Sequence, residues 1–332
     1  MFARLLSLRT WKPSLSKFCQ MRLNVMLFRF LPSWFSRCYL RLLGKIYYLL
    51  NWKERKLIQA TITRILGSDL EPAVLRRLKR RTFRGAIDHY HEKLFVAYSH
   101  FGRLVGFLRR RVRLEGAEAL EEALAAGRGV ILVTGHYGAV EFLPGALAVR
   151  NYPATMICRF QTNRLRLSMQ ERAGRVGLEL VDSDGSNVLL TALKALKRGR
   201  ILITECDEFE EWRPDPARQV TFLGNRLDAD RTLEILRRRS GAPVVTALLR
   251  REGGRRYTLH FTPIAAPAAT AAEPVGISCL KVLEAAVDAD PVQWYQWRKF
   301  GTLIQPLTGR DDAHQESGYL APEIGVSIPV QA

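Results

Sequence analysis

His136 and Glu141 are the side chains best placed to do chemistry, because they stand where an apolar run stops. In Gly129-Val130-Ile131-Leu132-Val133-Thr134-Gly135-His136-Tyr137-Gly138-Ala139-Val140-Glu141, four apolar residues, three of them β-branched, lead into Thr134-Gly135. Such a run reads as a buried strand, and the polar-then-apolar pattern behind it reads as a helix. On one regular helix, five steps of about 100° would set His136 and Glu141 roughly 140° apart, too far round to share a face. His136 is therefore expected in the turn and Glu141 in the first turns of the helix, where its carboxylate can accept a hydrogen bond from one ring nitrogen while the other faces a substrate. That is the arrangement of a general base, an imidazole that titrates near neutral pH with its tautomer fixed by an acid. A histidine beside a glycine turn also occurs as a structural residue. Its position separates the two readings: the C-terminal edge of a strand is where α/β sheets meet substrates, and Gly135 and Gly138 leave its surroundings open.

The elements that must hold this turn follow from periodicity. Residues 53–108 read as helices, with Ile58, Ile62, Ile65 and Leu66 on one face and a break at Gly67-Ser68-Asp69. From Arg111 the period changes. Strands are expected at 111–114, 130–133, 154–158, 178–181, 201–204, 243–249 and 257–261, with helices at 117–126, 165–176 and 188–197 and one behind Gly138. Ser183-Asp184-Gly185-Ser186 is the expected cap of the helix at 188. Pro144 would kink the helix behind His136 unless its first turn starts late. Alternating strands and helices imply an α/β fold, a mostly parallel mixed sheet flanked by helices. Ala265 to Ala272 reads as a loop and Thr308 to Ala332 as a mobile tail. Asp88-His89-Tyr90-His91-Glu92 resembles a metal cluster, but residues two apart on a helix point apart, and a solvated helix face is expected instead.

The charge balance narrows the partners. Fifty-one Lys and Arg against 32 Asp and Glu give +19, which favours anionic partners: nucleic acid, lipid headgroups or an acidic carrier protein. Five scattered cysteines without a CxxC pair argue against a disulfide framework or zinc site and for a reducing setting. Between Met1 and Leu66 there are thirteen basic residues and one acid, Glu54, among many Leu, Phe, Trp and Tyr. A charge interrupts every few positions, so no stretch reaches the roughly 18 apolar residues a spanning helix needs. The segment reads as helices lying on an anionic membrane, with Arg37, Arg41 and Lys45 lining one face. A signal peptide lacks its apolar core here; an Arg-rich transit peptide stays open for the first thirty residues. Three parts result: membrane-associating helices at 1–66, an α/β domain at 67–300 and a flexible tail at 301–332.

The stretch Val130 to Glu141 resembles the H-x4-E motif of the bacterial lipid A late (lauroyl/myristoyl) acyltransferases, a branch of the lysophospholipid acyltransferase superfamily. Arg159-Phe160-Gln161-Thr162-Asn163 is similar to the family's R-x3-N, Val220 to Asn225 to its F-G segment, Ser240 to Val245 to its strand opening, and Pro291-Val292-Gln293-Trp294 to its P-x-Q-W signature. The likeness covers roughly residues 20 to 300. It implies acyl transfer from an acyl carrier protein or coenzyme A thioester to a hydroxyl of a lipid acceptor. His136 would be the base, Glu141 its orienting acid and Arg159 the partner of an anionic group or oxyanion, with Asn163, Glu205 and Asp207 binding substrate. No cofactor or metal is implied, and the expected place is the cytoplasmic face of the inner membrane, peripheral or monotopic.

One departure bears on the substrate: Glu205-Cys206-Asp207-Glu208 stands where the family carries Asp-Gln. A lysophospholipid, a glycolipid or an amine-bearing lipid stays open as acceptor. From other classes, a basic membrane- or nucleic-acid-binding module lacks base-reading motifs and interleaves its charges with aliphatics, and a serine esterase lacks G-x-S-x-G. Cys206, with no histidine near it in sequence and acids on both sides, is a poor nucleophile.

Overall fold

The computed structural model describes residues 21–68, 70–160, 162–265 and 273–304. The expectations for residues 1–20, for Asp69 and Gln161, for 266–272 of the alanine-rich loop and for the tail beyond 304 lie outside the described residues. Helices α1 (Arg22–Phe30), α2 (Ser33–Leu50), α3 (Trp52–Leu66), α4 (Pro72–Tyr98) and α5 (Phe101–Arg111) lead to β1 (Val112–Glu115), α6 (Ala117–Ala125) and β2 (Val130–Thr134). A 3-10 turn at Val140–Phe142 and α7 (Leu143–Ala148) follow, then β3 (Ala154–Cys158), α8 (Asn163–Gly174), β4 (Glu179–Asp182), α9 (Val188–Lys197) and β5 (Ile201–Glu205). A hairpin, β6 (Pro214–Phe222) and β7 (Asn225–Asp230), precedes α10 (Thr232–Ser240), β8 (Val244–Gly253), β9 (Arg256–Ile264), α11 (Val275–Ala289) and α12 (Trp297–Ile304).

The main sheet has the order β1-β9-β8-β2-β5-β3-β4. Strands β8, β2, β5, β3 and β4 run parallel. Strand β9 turns back antiparallel to β8 and carries β1 parallel to itself. Val130 to Val133 are inaccessible to solvent, because β2 is central and both of its faces are covered. Ile131 and Val133 pack with Leu202, Phe222 and Leu283, while Val130 and Leu132 pack with Ile201, Phe142 and Leu147. This is the period-two division of a strand between two hydrophobic layers. Fully burying each such side chain stabilises by about 1.5–3 kcal/mol.

Local departures from expectation have physical causes. The helix behind His136 starts only at Leu143, with Pro144 in its first turn, where a missing N–H costs nothing. Helix α9 begins at Asn187 in a left-handed conformation without a side-chain cap, so the Ser183 to Ser186 cap is not formed. The expected tail at 301 falls inside α12, and Gly301 packs against Thr61 and Leu57 of α3. His89, His91 and Glu92 are buried, not on a solvated face. Each has its own partner: Glu141, Ser36 and Arg251, respectively.

The face of α2 is also inverted. Arg41 makes a bidentate ion pair with Asp88 of α4, and Arg37 interacts with Tyr257. Trp34, Phe35, Leu42, Ile46, Leu49 and Leu50 are exposed instead, joined by Cys38 and Lys45. No helix among the described residues is long and apolar enough to cross a membrane.

Candidate active site

Parallel pairing of β2 with β5 sets Thr134 beside Glu205, and the chains stay together for two more residues. The Cys206 N–H donates to the Thr134 carbonyl at 2.8 Å, and the His136 N–H donates to the Asp207 carboxylate at 3.0 and 3.1 Å. The same carboxylate takes His136 Nδ1 at 2.9 Å and accepts from Trp294 Nε1 at 2.8 Å. Asp207 is fully buried. It therefore fixes both the backbone and the ring of His136.

The acid expected to hold His136 was Glu141, and here the structure corrects the reading. Glu141 lies 3.3 Å from Lys93 Nζ and 3.5 Å from His89 Nε2, and no ion pair joins it to His136. The 3-10 turn sends Glu141 towards α4, while the strand register delivers Asp207 to the ring. The glycines are not spacers either. Gly138 has φ +60°, and a Cβ there would sit 1.8 Å from the Leu249 carbonyl oxygen; Ala139 N–H donates to that same carbonyl at 2.9 Å. Close backbone approach, in a conformation that suits glycine, is the reason for Gly138.

Nε2 of His136 faces two more carboxylates, Glu208 at 3.0 Å and Glu205 at 3.5 Å. Burial opposes charge on the ring, but Glu205 and Asp207 outweigh it and hold the imidazole pKa well above its usual value. Burial raises the Glu205 carboxyl to about 7, against the pull of His136. Burial would raise Glu208 too, yet its hydrogen bond to His136 and the charges of His136 and Lys299 bring it down to about 2. Lys299 Nζ binds Glu208 at 2.7 Å. One oxygen of each glutamate and a His136 nitrogen lie within 4.8 Å of one another, close enough to hold a divalent cation.

His136 and these glutamates open on a cavity of about 380 Å³. Its wall follows α4 from Thr82 to Val96, about 21 Å of helix. Away from the histidine its lining is mostly apolar, including Leu104, Leu108, Pro144, Val149, Met156 and Leu178, with Arg172 among them. Its other arm carries Tyr48, Glu54 and Arg298.

Of the residues read from the sequence, His136, Glu205 and Asp207 come together, and Glu141 and Arg159 line the same cavity. Arg159 is half-exposed and bound by Asp184 at 3.0 Å and Glu211 at 2.8 Å. Asn163 opens α8 on the exposed surface and does not line the cavity. Burial pushes the Cys206 thiol well up, which leaves it inert. Glu208, Trp294, Lys93 and Lys299 were missed. Glu208 and Trp294 lay inside segments already singled out, the acidic turn and the P-x-Q-W stretch; nothing in the sequence marked Lys93 or Lys299.

A family model described as bacterial lipid A biosynthesis acyltransferase matches residues 14–299. A search of curated proteins finds no match.

Proposed function

Since the chain belongs to the bacterial lipid A biosynthesis acyltransferase family, and so is an acyltransferase acting on a lipid acceptor, we propose that it moves a fatty acyl group from a carrier-protein or coenzyme A thioester to a hydroxyl of a lipid A precursor-like lipid, with His136 as base and Asp207 as the acid that positions it. The observation that carries this reading is the buried Asp207 carboxylate on Nδ1 with Nε2 turned to the cavity.

In the resting site the ring is a cation whose Nε2 faces Glu208. Glu205 stands 3.5 Å away, its carboxyl pushed up to about 7 by burial; it receives that proton as the acceptor hydroxyl takes the place of Glu208 and removes the charge that holds the ring protonated. The neutral imidazole then accepts the hydroxyl proton while the oxygen attacks the thioester carbonyl. Collapse of the tetrahedral intermediate expels the thiolate, which leaves with the proton from the ring. The acyl chain occupies the apolar arm. Arg159, at the rim, suits an anionic group of either substrate. No resident cofactor is needed for these steps.

The exposed apolar residues of α2 support attachment to a membrane surface, from which a lipid can reach the neighbouring arm lined by Tyr48 and Glu54. Replacing His136 with Ala is expected to lower acyl transfer by about 10²- to 10⁴-fold, with circular dichroism and vesicle binding unchanged. Retained transfer in a thioester assay would sink the proposal.

A further inference from the structure

Helix α4 carries a charge pattern that the chemistry leaves unexplained. Arg76, Arg77, Arg80, Arg81 and Arg84 are all exposed. At 100° per residue they fill an arc of about 140°, and at 1.5 Å per residue they extend over about 12 Å. No ion pair joins any of the five to an acid among the described residues, although Arg41, Arg159, Arg198, Arg237 and Arg251 elsewhere all have carboxylate partners. Three of their spacings are like-charge i,i+4 pairs (76/80, 77/81, 80/84), each of which destabilises a helix by about 0.2–0.5 kcal/mol. A stripe that weakens its own helix needs an external reason.

We propose that this stripe is the docking surface for an acidic acyl carrier protein that brings the thioester. The inference rests on the acyl-transfer reading above and decides which thioester the molecule is built to receive. Three observations favour this occupant. The stripe backs directly onto the cavity wall, since Thr82 and Ala86 on the opposite side of the same turns line the cavity; only one helix width, about 10–12 Å, separates a docked partner from it. The stripe is also charged without being greasy. Val74 is the one large apolar residue of α4 that is exposed, whereas the lipid-suited α2 exposes Trp34, Phe35, Leu42, Ile46, Leu49 and Leu50. A bilayer would be met by basic and apolar side chains together; a hydrated acidic protein surface is met by basic ones alone. Finally, unpaired guanidinium groups suit clustered carboxylates of a partner, which steers encounter and sets register.

The test compares the triple variant Arg77→Glu, Arg80→Glu, Arg84→Glu with the unaltered protein, using one acyl chain on two donors: a purified acidic acyl carrier protein and uncharged N-acetylcysteamine. The variant should raise KM for the carrier-borne chain at least tenfold, abolish the salt dependence of that KM, and leave kcat and the N-acetylcysteamine reaction unchanged. Co-sedimentation with vesicles containing phosphatidylglycerol should also be unchanged. An unaltered carrier KM would overturn the proposal. Equal loss with both donors would overturn it as well, and so would loss of vesicle binding with carrier kinetics intact, the mark of a lipid-headgroup surface. Fluorescence anisotropy of labelled carrier protein reads docking without turnover, so failure of the transfer reaction itself stays distinguishable from failure of the stripe.

Discussion

Asp207 has more depending on it than any other side chain near His136. It accepts from the His136 backbone, the His136 ring and Trp294 at once. In Asp207→Asn the amide can present N–H to Nδ1, which leaves the proton on Nε2 and removes the free lone pair a base needs. We expect kcat to fall by about 10²- to 10⁴-fold with KM for the acceptor little changed. Glu141→Gln, which disturbs the Lys93 pair and not the ring, should cost less than about tenfold on that view of its contacts. If steady-state kinetics rank the two variants the other way, Glu141 regains the role that its spacing from His136 suggests. That spacing could be read from the chain, and so could the turn holding His136. The identity of the acid could not, because it depends on the register between β2 and β5, where residues about seventy apart meet, and one-dimensional patterns carry no register between distant strands.

At the scale of elements, α4 is tied to the sheet by a buried ion pair. Arg251 of β8 binds Glu92 through Nε at 2.8 Å and Nη2 at 2.7 Å. Burial raises the Glu92 carboxyl, and Arg251 opposes that rise. Removing one partner strands the other charge, so Arg251→Ala should lower unfolding free energy by about 3–5 kcal/mol, measured by urea denaturation; a loss below about 1 kcal/mol would mean water reaches Glu92. The central strands of the sheet were legible because they are short apolar runs between turn residues, and β3 and α9 fall where periodicity places them. The hairpin β6–β7 was not. Its strands alternate charge and small residues with few apolar anchors, and its turn puts Leu223 at φ +47° beside Gly224 at φ +71°, a conformation for which leucine gives no signal. The exposed face of α2 was misassigned for a related reason: Arg37 and Arg41 look solvent-seeking until Tyr257 and Asp88 are brought to them by the fold.

For the whole molecule, two buried histidines contribute a loss of stability in acid. Burial first, then nearby cations, lower His91 from 6.5 to about 3 and His89 well below 6.5. In the unfolded chain both would protonate near 6.5, so protons bind the unfolded state first. Their contribution to stability is complete above about pH 6.5 and declines as pH falls towards 3, by about 1.4 kcal/mol per pH unit for each histidine. Glu205, pushed up to about 7 in the folded protein, acts in the opposite sense over the same range, so the histidine effect is read in Glu205→Gln, whose denaturation midpoint should drop between pH 7 and pH 5; a flat profile in that variant would count against neutral rings at His89 and His91.

The last described segment closes over the turn that carries His136. Gln293 receives the Gly138 N–H, Tyr295 donates its N–H to the His136 carbonyl, Trp294 holds Asp207 and Lys299 holds Glu208. On the ribosome, α1 and α2 emerge early and residues 293–299 about two hundred and fifty residues later. Nascent chains that have already released α1 and α2 thus still lack the latch over His136, and the surroundings of that ring are complete only when almost all of the described chain has been made.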